Sequence, residues 1–252
     1  MKLFFSALTL LCLFLGMGAH AMATPVVLFD EAHTQQFLVS QDGPLGLSGL
    51  AKELTDQGCE IKASTEPLTQ ESLQGVDLLV ISGAFSPLTA AEIEAVAAYV
   101  ETGGGLAIML HIGPPLRDLL FRFEVDFANG SIRELRNLVD EEAINFKVVD
   151  LETHPLMDKL EHFTLYGAWP LRGTAAFAKE IARTSDHAWV DLDRSGELSA
   201  GDATQTFAVV VAGEFGQGRF AVFGDDALFQ NRFLDKNNRT LARNMSWWLA
   251  RN

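Results

Sequence analysis

The chain has 252 residues, of which 48% are hydrophobic and 21% charged, and its formal net charge at pH 7 is −14. A chain this acidic is repelled by nucleic acid and by anionic membranes, so neither is expected as a partner. The length suits one domain, or one domain with a sizeable insertion, and is sufficient to bury a good core.

The first 23 residues have the pattern of a secretory signal peptide. Lys2 supplies a positive charge, an apolar run follows, and small residues allow cleavage after Ala21 or Ala23. We therefore expect residues 24–252 to form a single domain in the periplasm or outside the cell, with no membrane span after cleavage. An uncleaved anchor is the alternative, although the apolar run is short for a membrane-spanning helix.

Residues 76–111 predict one βαβ unit. Two short apolar runs, at 76–82 and 106–111, are typical of parallel strands that are buried on both faces. Between them, Thr89 and Glu92 have the spacing of a helix-capping box, and a run of three glycines ends the helix.

The first half of the chain predicts strands that alternate with helices. Further strands are predicted at residues 26–30 and 60–64, and further helical segments at residues 46–55, 69–74 and 116–123. This order is typical of a mainly parallel sheet with helices on both faces. We therefore expect an α/β three-layer sandwich of the flavodoxin-like type.

The second half predicts additional β-hairpins. Strands are predicted at residues 144–149, 163–166, 180–184, 188–192, 206–215 and 219–225. A tight turn at residues 216–218 joins the last two. A short helix is predicted at residues 154–160, opened by Thr153. The chain ends in a helix at about residues 237–250, whose apolar face includes Trp248.

Ligands bind beyond the carboxyl ends of the strands in an open parallel sheet. The polar residues predicted at that edge are Asp30, Glu31, His33, Ser82, His111 and, if the last strand runs parallel to its neighbours, Asp225 and Asp226. Two imidazoles and several carboxylates are suited to hydrogen-bond a polar ligand or to hold a cation. The alternative for each residue alone is that it satisfies the backbone of a loop.

The segment from Asp191 to Asp202 fits the template of a calcium-binding loop. Oxygen-bearing side chains stand at alternate positions, a glycine follows at the sharp turn, and a carboxylate closes the loop at position 12. The predicted ligands are Asp191, Asp193, Ser195, Glu197 and Asp202, and the predicted role of Ca²⁺ is structural. The alternative is a hairpin loop rich in aspartate and glycine, because the flanks predict strands instead of helices.

Several catalytic motifs are absent from the sequence. Residues 30–33 spell DEAH, but no phosphate-binding G-x-x-x-x-G-K-[ST] accompanies them, so a helicase is excluded. There is also no G-x-S-x-G nucleophile motif. Cys59 is the one cysteine left after signal cleavage, so no intrachain disulfide is expected. It precedes a predicted strand, and we expect it to be buried.

Three segments, at residues 26–33, 77–110 and 213–231, together with Asn238 and the WWLA helix, resemble one family. They are similar to the class I glutamine amidotransferase-like domains of unknown function in exported bacterial proteins. The same fold group includes the amino-terminal domains of gliding-motility and intraflagellar-transport proteins and the ThuA-like (trehalose-utilisation) proteins. The resemblance implies the fold. It also implies that the amidotransferase reaction is lost, because His111 stands where true amidotransferases place their catalytic cysteine.

The leading hypothesis is an exported, non-catalytic domain that binds a polar ligand such as a carbohydrate, or an envelope protein, at the strand carboxyl ends. The alternative is a hydrolase of a sugar or cell-wall-type substrate that uses His33, His111 and the carboxylates of Asp30 and Glu31. That alternative requires both imidazoles beside a carboxylate in one open pocket. A third hypothesis, an envelope assembly subunit, requires an exposed apolar patch.

Overall fold

The computed structural model describes residues 24–193 and 195–250, and the predicted signal peptide lies outside these ranges. The helices are α1 (Ser48–Asp56), α2 (Ala90–Glu101), α3 (Arg117–Arg122) and α4 (Lys236–Leu249), with 3-10 helices at Pro114–Leu116, Pro155–Met157 and Ala227–Phe229. The strands are β1 (Val26–Asp30), β2 (Glu60–Ser64), β3 (Leu78–Ser82), β4 (Gly105–Met109), β5 (Val125–Phe127), β6 (Ile132–Arg133), β7 (Leu138–Val139), β8 (Glu142–Val148), β9 (Asp150–Leu151), β10 (Phe163–Tyr166), β11 (Leu171–Gly173), β12 (Lys179–Arg183), β13 (Trp189–Val190), β14 (Ala203–Thr204), β15 (Ala208–Phe215) and β16 (Gly218–Phe223).

The main sheet is mixed, with strand order β2-β1-β3-β4-β16-β15-β11-β5. The first five strands in this order are parallel to one another, and β15 then runs antiparallel to β16. Two three-stranded sheets, β10-β8-β7 and β14-β13-β6, lie outside it. The prediction of an α/β fold with a large sheet and extra hairpins in the second half is confirmed. The antiparallel part is larger than expected, because β11, β5 and β12 also join the main sheet.

Helices cover both faces of the parallel strands, because alternate residues of each strand point to opposite sides. In β1, Val27 and Phe29 belong to an apolar cluster that contains residues of α1 and α4. Leu28, between them, belongs to a second cluster that contains residues of α2 and α3. The buried runs recognised in the sequence are therefore strands with a core on each side.

Helix α2 begins as the capping box predicts. The Thr89 hydroxyl accepts a hydrogen bond from the Glu92 amide, and the Glu92 carboxylate accepts one from the Thr89 amide. In α4, the carboxylate of Asp235 caps the first turn by accepting from the amides of Asn237 and Asn238. Trp248 is buried on the inner face of α4, as predicted. Within the part of the chain that the structure describes, no helix has the length and hydrophobicity needed to cross a membrane.

Residues 69–74 form the helical turn that the sequence predicts, with the Leu73 amide donating to the backbone oxygen of Thr69. One predicted helix is shorter than expected. The helix predicted at residues 154–160 is reduced to the 3-10 helix Pro155–Met157. Its cap is His154, whose ring accepts from the Leu156 amide, and not Thr153 as predicted.

Candidate functional site

The carboxyl ends of β1, β3, β4 and β16 meet at one edge of the main sheet. Asp30 and Ser82 are the last residues of β1 and β3, and His111 lies two residues beyond β4. Because β16 is parallel to β4, Asp225 and Asp226 also lie beyond this edge. The sequence placed these two aspartates here on the condition that the last strand is parallel to its neighbours, and β16 is parallel to β4.

His33 is enclosed by two carboxylates just beyond β1. Its Nδ1 lies 2.8 Å from Oδ2 of Asp30, and its Nε2 lies 3.3 Å from Oε1 of Glu92. Gln35 donates to the same Asp30 oxygen at 2.6 Å. Burial opposes the charge on His33, but Asp30 and Glu92 outweigh burial and raise the pKa of its imidazole. Since His33 is only 5% exposed, this cluster joins the β1 loop to the start of α2 and presents no ring nitrogen to solvent.

Two other predicted site residues satisfy loop backbone. Oε1 of Glu31 accepts a hydrogen bond from the amide of Val39 at 2.9 Å. The carboxylate of Asp225 is buried and accepts from the amides of Tyr166 and Ala227. Burial, together with the neighbouring Asp226, raises the pKa of Asp225 to about 7. The contacts of Glu31 and Asp225 therefore agree with the alternative that each carboxylate satisfies backbone groups.

His111 is the predicted histidine that remains accessible. Its side chain is 39% exposed, and its Nδ1 lies 3.1 Å from Oδ1 of Asp226, which is 2% exposed. The hydrogen bond that the imidazole donates to this carboxylate raises the pKa of His111. The rings of Phe37 and Phe85 lie 5.4 and 5.0 Å from the imidazole, measured between centroids. Trp169 donates its indole N–H to the backbone oxygen of His111 at 3.0 Å. We call His111, Asp226, Phe37, Phe85 and Trp169 the His111 site.

The position of Asp226 depends on Gly83. Gly83 has φ 62°, and a Cβ on it would lie 2.4 Å from Oδ2 of Asp226. A side chain at this position would therefore collide with the carboxylate and strain the backbone. Oδ2 itself is buried and has no hydrogen-bond partner among the described residues. Gly83 thus leaves the room in which Asp226 orients His111.

The possible nucleophiles are Ser82 and Cys59. Oγ of Ser82 is buried and has no hydrogen-bond partner in the described ranges, so no base activates it. Cys59 is buried, as predicted, and directly precedes β2, so it lies at the amino end of that strand. Nδ1 of His111 is occupied by Asp226, which leaves Nε2 to donate to or accept from a ligand. The chemistry that the His111 site offers is an oriented imidazole beside aromatic rings.

Sequence reasoning missed several members of these two clusters. Glu92 was assigned only to the helix cap, and its contact with His33 spans 59 positions of the chain. Phe37, Phe85 and Trp169 lie in loops that carried no motif. The position of Phe85 could have been predicted, because this residue follows the end of β3 by three residues and therefore lies at the predicted edge.

The predicted calcium loop connects β13 to β14. Ligand oxygens of Asp191, Asp193 and Asp202 all lie within 4.8 Å of one another. The carboxylate of Glu197 is not in this group, and Oγ of Ser195 donates to the backbone oxygen of Glu197. Three of the five predicted ligands are therefore brought together.

Replacing Asp226 by asparagine should lower the pKa of His111. The variant removes the negative charge that favours the imidazolium, so His111 should lose its proton at a lower pH than in the wild type. NMR titration of the histidine ring signals in the wild type and in the variant measures this pKa directly. An unchanged His111 titration would show that Asp226 does not control its charge.

Comparison with known proteins gives a family match and several similar folds. A family model described as "Domain of unknown function (DUF4350)" matches residues 40–245. No protein with curated annotation matches the chain. The mmIFT52 N-terminal domain is 19% identical with a TM-score of 0.69, and the alignment covers 88% of this chain and 96% of that domain.

Two bacterial structures are also similar. A ThuA-like protein from Bacteroides uniformis ATCC 8492 is 14% identical with a TM-score of 0.54, over 92% of this chain and 95% of that protein. Cytoplasmic protein STM3548 from Salmonella typhimurium is 15% identical with a TM-score of 0.59, over 90% of this chain and all of that protein. The resemblance to domains of unknown function, with intraflagellar-transport and ThuA-like relatives in fold, is confirmed.

Proposed function

Because this chain belongs to the DUF4350 family of domains of unknown function, we propose its function from the geometry of its own site. It is a non-catalytic binding domain that holds a polar ligand, of the carbohydrate class, at the carboxyl ends of β1, β3, β4 and β16. The observation that carries the proposal is the half-exposed imidazole of His111, held by the buried Asp226 beside two aromatic rings.

The chemistry of the His111 site suits a sugar. Nε2 of His111 is available to bond a hydroxyl, because Nδ1 is already paired with Asp226. Phe85 is 36% exposed and offers an apolar ring face of the kind that packs against a sugar ring. A few oriented polar groups among aromatic side chains are the usual composition of a small-molecule site.

We also propose a flavodoxin-like core and an exported location for this protein. The parallel order β2-β1-β3-β4-β16 supports a flavodoxin-like core, in which ligands bind beyond the strand carboxyl ends. Export directed by residues 1–23, followed by action in the periplasm or outside the cell, belongs to the same proposal. A protein partner is the other class of occupant for this edge, and the binding experiment separates the two.

The hydrolase alternative has less support. It needs His33 and His111 in one open pocket, but His33 is 5% exposed and both of its ring nitrogens face carboxylates. The carboxylate of Asp30 is likewise engaged by His33 and Gln35. His111 is therefore left without the second acid–base group that this mechanism requires.

Titration of the purified protein with trehalose, cellobiose and chitobiose by isothermal calorimetry tests the proposal. We expect saturable binding of at least one of these sugars, and a loss of about tenfold or more in affinity, roughly 1.4 kcal/mol, in His111→Ala. His187→Ala removes an exposed surface histidine and should leave the affinity unchanged.

Two results would overturn the proposal. The absence of saturable heat with all three sugars would reject the carbohydrate class and leave a protein partner as the occupant. Release of monosaccharide in the same mixtures, abolished by His111→Ala, would make the hydrolase alternative correct.

A further inference from the structure

The loop between β13 and β14 gathers three negative charges in a small space. Ligand oxygens of Asp191, Asp193 and Asp202 lie within 4.8 Å of one another. Like charges at such distances repel, and this repulsion is strongest for a group that is removed from water. Arg133 on β6 contributes one positive charge, with its Nε 3.2 Å from Oδ2 of Asp191.

The buried carboxylate of Asp191 is independent evidence for a cation at this loop. The residue is 5% exposed, and its Oδ2 accepts from Nε of Arg133 and from the amide of Gly196 at 3.1 Å. Its other oxygen, Oδ1, is buried and has no hydrogen-bond partner among the described residues. A buried carboxylate oxygen without a partner is costly, and a cation bound at this oxygen would remove that cost.

The other two carboxylates are held in place by the loop itself. The oxygens of Asp202 accept from the amides of Leu192 and Ser199, at 2.9 and 2.7 Å. The oxygens of Asp193 accept from the Ser195 amide and from the Ser199 hydroxyl. Each carboxylate oxygen has two lone pairs, so these bonds orient Asp193 and Asp202 while leaving them able to bind a metal.

We propose that Asp191, Asp193 and Asp202 bind one calcium ion. The ligand set consists of oxygen atoms alone, which favours a hard cation and disfavours zinc, whose structural sites are built from cysteine sulfur and histidine nitrogen. Three carboxylates from one short loop suit the flexible coordination of Ca²⁺ better than the strict octahedron of Mg²⁺. The spacing in the sequence favours Ca²⁺, and the unpartnered oxygen of Asp191 favours a bound cation.

The ion stabilises the small sheet β14-β13-β6 and performs no chemistry. Asp191 directly follows β13, and Asp202 directly precedes β14, so the metal joins the two ends of the hairpin loop. Arg133 lies in β6, which pairs with β13. Calcium is therefore expected to order this hairpin without changing the pairing in the main sheet.

Isothermal calorimetry with CaCl₂ on the protein after treatment with EDTA tests this site. We expect one Ca²⁺ per chain, and a rise in melting temperature of about 5–10 °C when free calcium exceeds the Kd about a hundredfold. Asp193→Asn and Asp202→Asn should each abolish most of the heat and of the shift. MgCl₂ at the same concentration should give a smaller shift.

Glu197→Gln is the matched control, because it removes a carboxylate of the same loop that lies outside the group of three. It should bind calcium as the wild type does. Absence of both heat and thermal shift in the EDTA-treated wild type would overturn the site. Undiminished binding by Asp193→Asn and Asp202→Asn would overturn it equally, because neither carboxylate could then be a ligand.

Discussion

Replacing Asn238 by alanine should lower the free energy of unfolding by about 3–5 kcal/mol. Asn238 is fully buried in α4, and its Oδ1 accepts from the Thr164 amide at 3.0 Å. Its Nδ2 donates to the backbone oxygens of Thr164 and Leu228, at 3.0 and 2.9 Å. Alanine would leave these backbone groups buried without partners, and each such group costs about 1–3 kcal/mol.

Urea denaturation followed by circular dichroism measures this loss. Asn237→Ala is the matched control, because Asn237 is the preceding residue of the same helix and its side chain is only partly buried. The control should cost less than about 1 kcal/mol. If the two variants unfold at the same urea concentration, the side chain of Asn238 does not hold β10 and the 3-10 helix Ala227–Phe229 against α4.

Replacing His33 by glutamine should cost about 3 kcal/mol below the pKa of His33, since it leaves the Asp30 and Glu92 carboxylates facing each other without a cation. The pKa of His33 in the fold is raised above its ordinary value of 6.5. The stabilisation from its charge is therefore fully present below pH 6.5 and is lost as the pH rises through the raised value. The difference between wild type and His33→Gln should shrink accordingly at high pH.

Denaturation curves at about pH 5.5 and about pH 9 test this pH dependence. His187→Gln, which makes the same substitution at a histidine on the surface, is the control for the substitution itself. An equal cost of His33→Gln at both pH values would mean that the charge on His33 contributes nothing, and that the residue acts only through its shape and hydrogen bonds.

The His33 cluster and the His111 site have different roles because they differ in burial. His33 is enclosed and joins the β1 loop to α2, whereas His111 remains open to a ligand. The sequence presented both histidines as equivalent candidates. A hydrolase that required the pair would lose activity in either variant, whereas the proposed binding domain should lose ligand affinity in His111→Ala and stability in His33→Gln.

Local sequence was sufficient for the features that depend on neighbouring residues. The bounds of β1, β2 and β10 match the prediction, because short apolar runs between turn residues have few other stable conformations. The capping box of Thr89 and Glu92 was also readable, since both of its hydrogen bonds join residues three positions apart. The carboxyl-end position of Asp30, Ser82 and His111 followed from strand order alone.

Only the tertiary structure decided which of these residues act together. Asp226 contacts His111 across 115 positions, and no periodic pattern encodes a contact at that separation. The hairpin of β15 and β16 was predicted from its tight turn, but the pairing of β11, β5 and β12 with the main sheet was not, because a strand's apolar pattern does not specify its partner. Burial made the final distinction, because it removed His33 from solvent and left His111 exposed, and exposure depends on the packing of loops from all parts of the chain.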